Sequence, residues 1–320
     1  MASHVGLFFF ALAAWMIYSQ LQKYSLTDIL HSITRIPFKH VVWACFACLG
    51  GYLVLSCYDF LALRYIGKKL AWWKWMLAGM LGFAISNNAG SAAISGGAIR
   101  YRLYTRWRVR AGEIVKMLTF SGVTYYLGTS IVLVAGYLLL HREGIAAAGP
   151  MHVFCIVGSA FIGAYSSICA FFHGKTFKIG EIVFKIPSVK TELAQMVVGT
   201  LDSVLAGLVL YCLSFHFVKL PIIQFISIFA VAQSVGIFAQ VPGGIGVFES
   251  IVLFSMPEGV DRAALFGSLL AFRIIYFVIP LVGIGSMFFI YEHYLRNTMK
   301  KWRMFSHVHM PHIKRNQKRP

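Results

Sequence analysis

Apolar runs of about twenty residues recur from position 5 to position 291, each long enough to cross a hydrocarbon core of about 30 Å as a helix. No other feature constrains the fold as strongly, because a segment inside a bilayer must satisfy its own backbone hydrogen bonds. Composition agrees: 58% of the 320 residues are apolar and 12% charged, where an ordinary soluble domain is roughly a quarter charged. The expected fold is an all-α integral membrane protein.

Lys and Arg orient the chain, since they concentrate in cytoplasmic loops. Full crossings are read at 5–21, 41–63, 113–140, 151–172, 193–215 and 262–291. Segment 75–99 lies between two basic loops, one with Arg64, Lys68, Lys69 and Lys74, the other beginning at Arg100 and running to Lys116. It is expected to enter from the cytoplasm and return. Segment 221–256 lies between Lys219 and the acidic Glu258 and Asp261, and is expected to be re-entrant from outside. The reading is six full transmembrane helices plus two re-entrant segments, with both termini cytoplasmic. Halves 1–140 and 151–292 then form an inverted repeat in one membrane domain, 1–292, followed by a basic cytoplasmic tail, 293–320. In support, SGGAIRYR at 95–102 aligns with PGGIGVFE at 242–249, and Asp59 and Asp202 fall in corresponding preceding helices.

The aligned glycines point to broken helices. Asn87 and Asn88 with Gly96 and Gly97 supply one break, and Pro242, Gly243 and Gly244 the other; Pro removes a backbone donor. Small residues also serve simple close packing of helices. Two Gly-Gly sites at matched places favour a pathway, because transporters built from inverted repeats bring broken helices to their substrate.

Few ionisable residues remain in the spans: Asp59, Asp202, Glu249 and Arg273. A central Asp or Arg costs about 2.5–3.5 kcal/mol on insertion scales, so each should face the interior with a partner. Glu249 and Arg273 are natural partners. Asp59, near the inner end of its helix, is expected to snorkel toward Arg64 or Lys68, while Asp202 lies deeper and is the stronger functional candidate. Arg100 and Arg102 follow the first glycine pair at the expected headgroup level, where Arg can fork two hydrogen bonds onto a phosphate.

The net charge of +18 follows from this topology and from attraction to anionic lipid, and nucleic acid is not an expected partner. The six cysteines lie in apolar runs and read as buried hydrophobes. No G-x-x-x-x-G-K-[ST], no H-E-x-x-H and no spaced nucleophile and base appear, so neither cofactor, metal nor enzyme activity is expected.

The motifs GGAIRYRLY, VPGGIGVFES and AFRIIYFVIPL, in that order, resemble the transmembrane family typified by the flippase module of the multiple peptide resistance factor, the lysylphosphatidylglycerol synthase, and its stand-alone inner-membrane relatives. The resemblance implies a bacterial inner-membrane protein that moves phospholipid, anionic or aminoacylated phosphatidylglycerol among the candidates, between leaflets. It assigns functional positions to Arg100 and Arg102, to Pro242, Gly243, Gly244 and Glu249, and to Arg273, Tyr276 and Pro280. Bifunctional members carry a soluble aminoacyl-transferring domain after the membrane part; here a basic tail follows the last helix, so this chain is not expected to make the lipid itself. Expected partners are membrane phospholipids, with a homo-oligomer and a separate lipid-modifying synthase left open. The alternatives are a small-solute or ion-coupled secondary transporter and a non-catalytic membrane partner of such a synthase.

Overall fold

The computed structural model describes residues 34–89, 92–142, 149–238, 244–290 and 293. The first expected crossing, the basic tail, Pro242 and Gly243 lie outside the described residues. Helix α1 is Phe38–Tyr65, α2 Trp72–Ala89, α3 Ala92–Arg106, α4 Ala111–Arg142 and α5 Gly149–Phe172. A short antiparallel hairpin follows, β1 Thr176–Ile179 with β2 Ile182–Lys185. Helices α6 Val189–Ser214, α7 Ile222–Phe238, α8 Val247–Phe254 and α9 follow among the described residues. Helix α9 starts at Arg262, passes through a π segment, Arg273–Val278, and resumes to residue 290.

Among the described residues, five helices are long and apolar enough to cross a membrane: Phe38–Tyr65, Ala111–Arg142, Met151–Phe172, Val189–Ser214 and Ala264–Ile290. They coincide with five of the six crossings read from hydropathy. Helix α5 stands at the rim of the bundle, with Val153, Ile156 and Phe171 62%, 70% and 78% exposed, as suits a helix facing acyl chains.

The two remaining apolar segments are each a pair of shorter helices folded back on itself. In the first, α2 and α3 run antiparallel, Trp73 meeting Trp107 at a ring separation of 6.0 Å. In the second, Phe229 of α7 meets Phe248 of α8 at 5.5 Å. The glycine pair expected to break the first segment, Gly96 and Gly97, lies within α3 and not at the reversal between α2 and α3. These glycines serve contact instead of a turn: a Cβ on Gly96 would overlap the Ser86 hydroxyl and stand 2.7 Å from the Gly82 carbonyl oxygen. One on Gly97 would crowd Leu118 of α4 at 3.2 Å.

Contacts at the helix ends sort the loops into two groups. At one end Lys68 pairs with Glu113 at 3.6 Å, and the Tyr65 hydroxyl donates to the Lys185 carbonyl at 2.7 Å, tying the hairpin to α1. At the other, Arg35 pairs with Asp261 at 3.4 Å and His40 packs on Phe215. Trp73 and Trp107 therefore bring both outer ends of the α2–α3 pair to the Lys68–Glu113 end.

Helices α1 and α3 terminate alike. After α1, Gly67 is left-handed (φ 75°), with Lys68 N–H donating to Leu63 and Gly67 N–H to Arg64. After α3 the same two bonds run from Val109 to Tyr104 and from Arg108 to Thr105, yet the left-handed position holds Arg108 (φ 62°). A side chain there costs about 1–2 kcal/mol that glycine avoids. Arg108→Gly is expected to raise the detergent-solubilised protein's melting temperature, by an amount matching about 1 kcal/mol; an unchanged or lower value would show that the arginine makes a compensating contact.

Candidate functional site: two buried ion pairs and a tyrosine-lined carboxylate

Asp59 of α1 is 1% exposed. Arg100 of α3 meets it side-on, Nε to Oδ1 at 3.0 Å and Nη2 to Oδ2 at 2.8 Å. Tyr104, one helical turn beyond Arg100 and hence on the same face, donates its hydroxyl to Oδ1 at 3.0 Å. The guanidinium lies 4.4 Å from the Phe83 ring centroid, and Gly82 leaves it room, since a Cβ there would stand 2.8 Å from Cζ. Asp59 therefore does not snorkel to Arg64 or Lys68, and Arg100 is drawn inward from the expected headgroup level. A two-bond arginine–carboxylate pair offsets desolvation of both charges in a way that a lone buried carboxylate cannot.

Glu249 sits in the first turn of α8. One of its oxygens accepts from the Gly246 N–H at 2.8 Å. The other accepts from Arg273 Nε at 2.8 Å and Nη2 at 2.6 Å. Arg273 opens the π segment of α9, its guanidinium 5.0 Å from the Phe277 ring and 5.6 Å from that of Phe248. The pairing expected from the rarity of charges in the spans is thus present. Each helix pair carries one such buried arginine–carboxylate contact.

Asp202 is different. It lies midway along α6, 5% exposed, and accepts from the Tyr58 hydroxyl at 2.8 Å. Tyr52, Tyr125 and Tyr276 also lie within its electrostatic reach. The polar groups continue toward the tip of α2, where Asn87 approaches the Tyr52 hydroxyl.

The π segment completes this patch, and Pro280 explains it. Proline has no N–H to give and its ring crowds the carbonyl four residues back, so a carbonyl of the preceding turn loses its helical donor. Side chains from other helices donate to the carbonyls there: Cys48 Sγ to Ile275 at 3.3 Å, the Tyr52 hydroxyl to Tyr276 at 3.1 Å, and Asn88 Nδ2 to Phe277 at 3.3 Å. π segments of this kind are frequent at functional sites.

Of the residues singled out in the sequence, Asn87, Asn88, Asp202 and Tyr276 come together, and Glu249 joins Arg273. Arg102 stands apart, half-buried, with its guanidinium 6.0 Å from the Phe288 ring; Phe288 lies about 22 Å beyond Arg273 along the helix. Gly244 is left-handed (φ 63°), its Cβ position 3.4 Å from Gly236 Cα. Tyr104, expected on an interfacial aromatic face with Tyr101 and Trp107, is instead buried. The sequence reading missed Tyr52 and Tyr58, which nothing in an aromatic-rich membrane chain distinguishes. It also missed Glu192, 3% exposed, which accepts from the Ser166 hydroxyl one turn before Gln195, itself bonded to Tyr165 and Thr124.

Long apolar helices around buried charged and hydroxyl groups define a multi-pass membrane protein. The chain belongs to the family described as the lysylphosphatidylglycerol synthase transmembrane region, whose model matches residues 4–283. It is 34% identical over 288 residues to the uncharacterized protein slr0712 of Synechocystis sp., covering 87% of each chain. It is 28% identical over 236 residues to the inner membrane protein YbhN of Escherichia coli, covering 72% of this chain and 73% of that one. It is also 25% identical over 311 residues to the phosphatidylglycerol lysyltransferase of Staphylococcus xylosus, covering 94% of this chain and 35% of that longer protein.

Proposed function

We propose that this protein is a lipid translocase of the bacterial inner membrane, moving a phospholipid between leaflets without chemical change. The headgroup, on this reading, is anionic or aminoacylated phosphatidylglycerol. The observation that carries the proposal is the set of buried polar groups: two arginine–carboxylate pairs, one at each folded-back helix pair, and the hydroxyls around Asp202. Charges and broken helices at membrane depth are tolerated where they line a protected polar path, and such a path lowers the desolvation cost of a crossing headgroup. The family's association with lysylphosphatidylglycerol supports a phospholipid as cargo.

On this reading α2–α3 and α7–α8 are re-entrant from opposite sides, in inverted halves of one membrane domain, and both termini are cytoplasmic. The positions of Trp73 and Trp107 beside the Lys68–Glu113 end support the first re-entry. Arg102, half-buried beside the exposed Tyr101, is the headgroup contact on this reading. A lipid-modifying synthase that supplies the cargo is the natural partner.

The test is reconstitution into liposomes carrying leaflet-reporting phospholipids. Exchange faster than in empty vesicles is expected, with a preference among headgroups that Arg102→Ala reduces while yield and melting temperature hold. No acceleration for any headgroup would sink the proposal. Equal loss of transport and folding in Arg102→Ala would make that residue structural.

A further inference from the structure

Four carboxylates are buried among the described residues: Asp59, Glu192, Asp202 and Glu249. Asp59 and Glu249 are each neutralised by an arginine. Glu192 lies in the first turn of α6, where the helix N-terminus favours negative charge. Asp202 has neither arrangement. It sits midway along α6, and the groups that face it are phenols: Tyr52 and Tyr58 from α1, Tyr125 from α4 and Tyr276 from α9. Among the described residues no Lys, Arg or His bonds to it, and none of the titratable groups facing it comes from α5 or α7. When 95–102 is aligned with 242–249, the position of Arg100 is taken by Val247, so that alignment offers Asp202 no counterpart of the arginine that Asp59 has.

We propose that Asp202 is a proton-binding site through which lipid movement is coupled to a proton gradient, a proposal that rests on the translocase reading. A proton taken from one side of the membrane converts the carboxylate to the neutral acid, and its release to the other side restores the anion. No covalent bond other than O–H forms or breaks. The surroundings fit a proton better than a metal cation: one carboxylate among phenolic hydroxyls, with Tyr58 donating to it at 2.8 Å, offers few strong oxygen ligands. Hydroxyls also flank it along the chain, the next residue, Ser203, pairing with Thr129 at 3.1 Å.

The full chain in liposomes, with a leaflet-reporting phospholipid and an imposed pH difference, tests this. For one proton per lipid, each pH unit is expected to displace the steady-state leaflet ratio by up to about tenfold. A protonophore should abolish the displacement, and Asp202→Asn should remove it. Tyr58→Phe keeps the carboxylate and loses its donor, so it should shift the pH at which the response is half-maximal; this variant decides the matter if Asp202→Asn does not fold. Infrared difference spectra of the solubilised protein across pH should show a protonated-carboxyl band that is missing in Asp202→Asn, independently of transport. Lipid movement indifferent to the pH gradient, driven by sodium instead, or still gradient-responsive in Asp202→Asn overturns the coupling and leaves the translocase standing. Absence of any lipid movement defeats both, with the infrared band alone then reporting a buried acid.

Discussion

Arg100→Ala is expected to cost the folded protein about 3–5 kcal/mol, read as a lower melting temperature in detergent and reduced yield from membranes. The loss comes less from the arginine's own contacts than from what it leaves behind. Asp59, 1% exposed, would keep only the Tyr104 hydroxyl to offset a desolvated negative charge. Removing the charge as well should recover much of the loss, so Asp59→Asn combined with Arg100→Gln is expected to be more stable than Arg100→Ala alone. Arg100→Lys should fall short of wild type, since an ammonium cannot reproduce the planar two-bond contact. If Arg100→Ala melts within a degree or two of wild type, the pair has little structural weight.

Gly199→Ala should have the second largest effect. At the crossing of α4 and α6, a Cβ on Gly199 would overlap the Thr124 carbonyl oxygen and approach Gly128 Cα at 3.0 Å. Both obstacles are backbone, so no side chain can rotate away and the two helices must separate. The expected cost is about 3 kcal/mol, at the upper end of overpacking penalties. Gly122→Ala on the same α4 is the control: nothing lies within 4 Å of its Cβ position, and helix propensity alone should make it neutral or stabilising by up to about 1 kcal/mol. Similar losses for both would mean that the glycines matter through backbone flexibility and not through contact.

The long spans could be read from the sequence because hydropathy reports the solvent directly, and a bilayer allows few alternatives to helix. Glu249 with Arg273 was readable for a related reason: in a span where charge is costly, two opposite charges have few places to go. Asp59 with Arg100 was not, because Arg64 and Lys68 lie nearer along the chain and only the folding-back of α3 reveals the true partner. Gly96 and Gly97 looked like a turn because glycine serves turns and close packing equally well, and sequence does not separate the two uses. The hairpin at 176–185 gave no legible signal, its two strands of four residues each being too short to show alternation. The π segment had a legible cue in Pro280, but its carbonyls' partners, Cys48, Tyr52 and Asn88, come from helices remote in sequence.

Those three hydrogen bonds have a mechanical meaning. They fasten consecutive carbonyls of α9 to α1 and α2 in one axial register, and a slide of a single residue, about 1.5 Å, would break all three together. Helix α9 is therefore pinned against sliding past α1. The short α8, held to α9 by the buried Glu249–Arg273 contact, shares that fixed register.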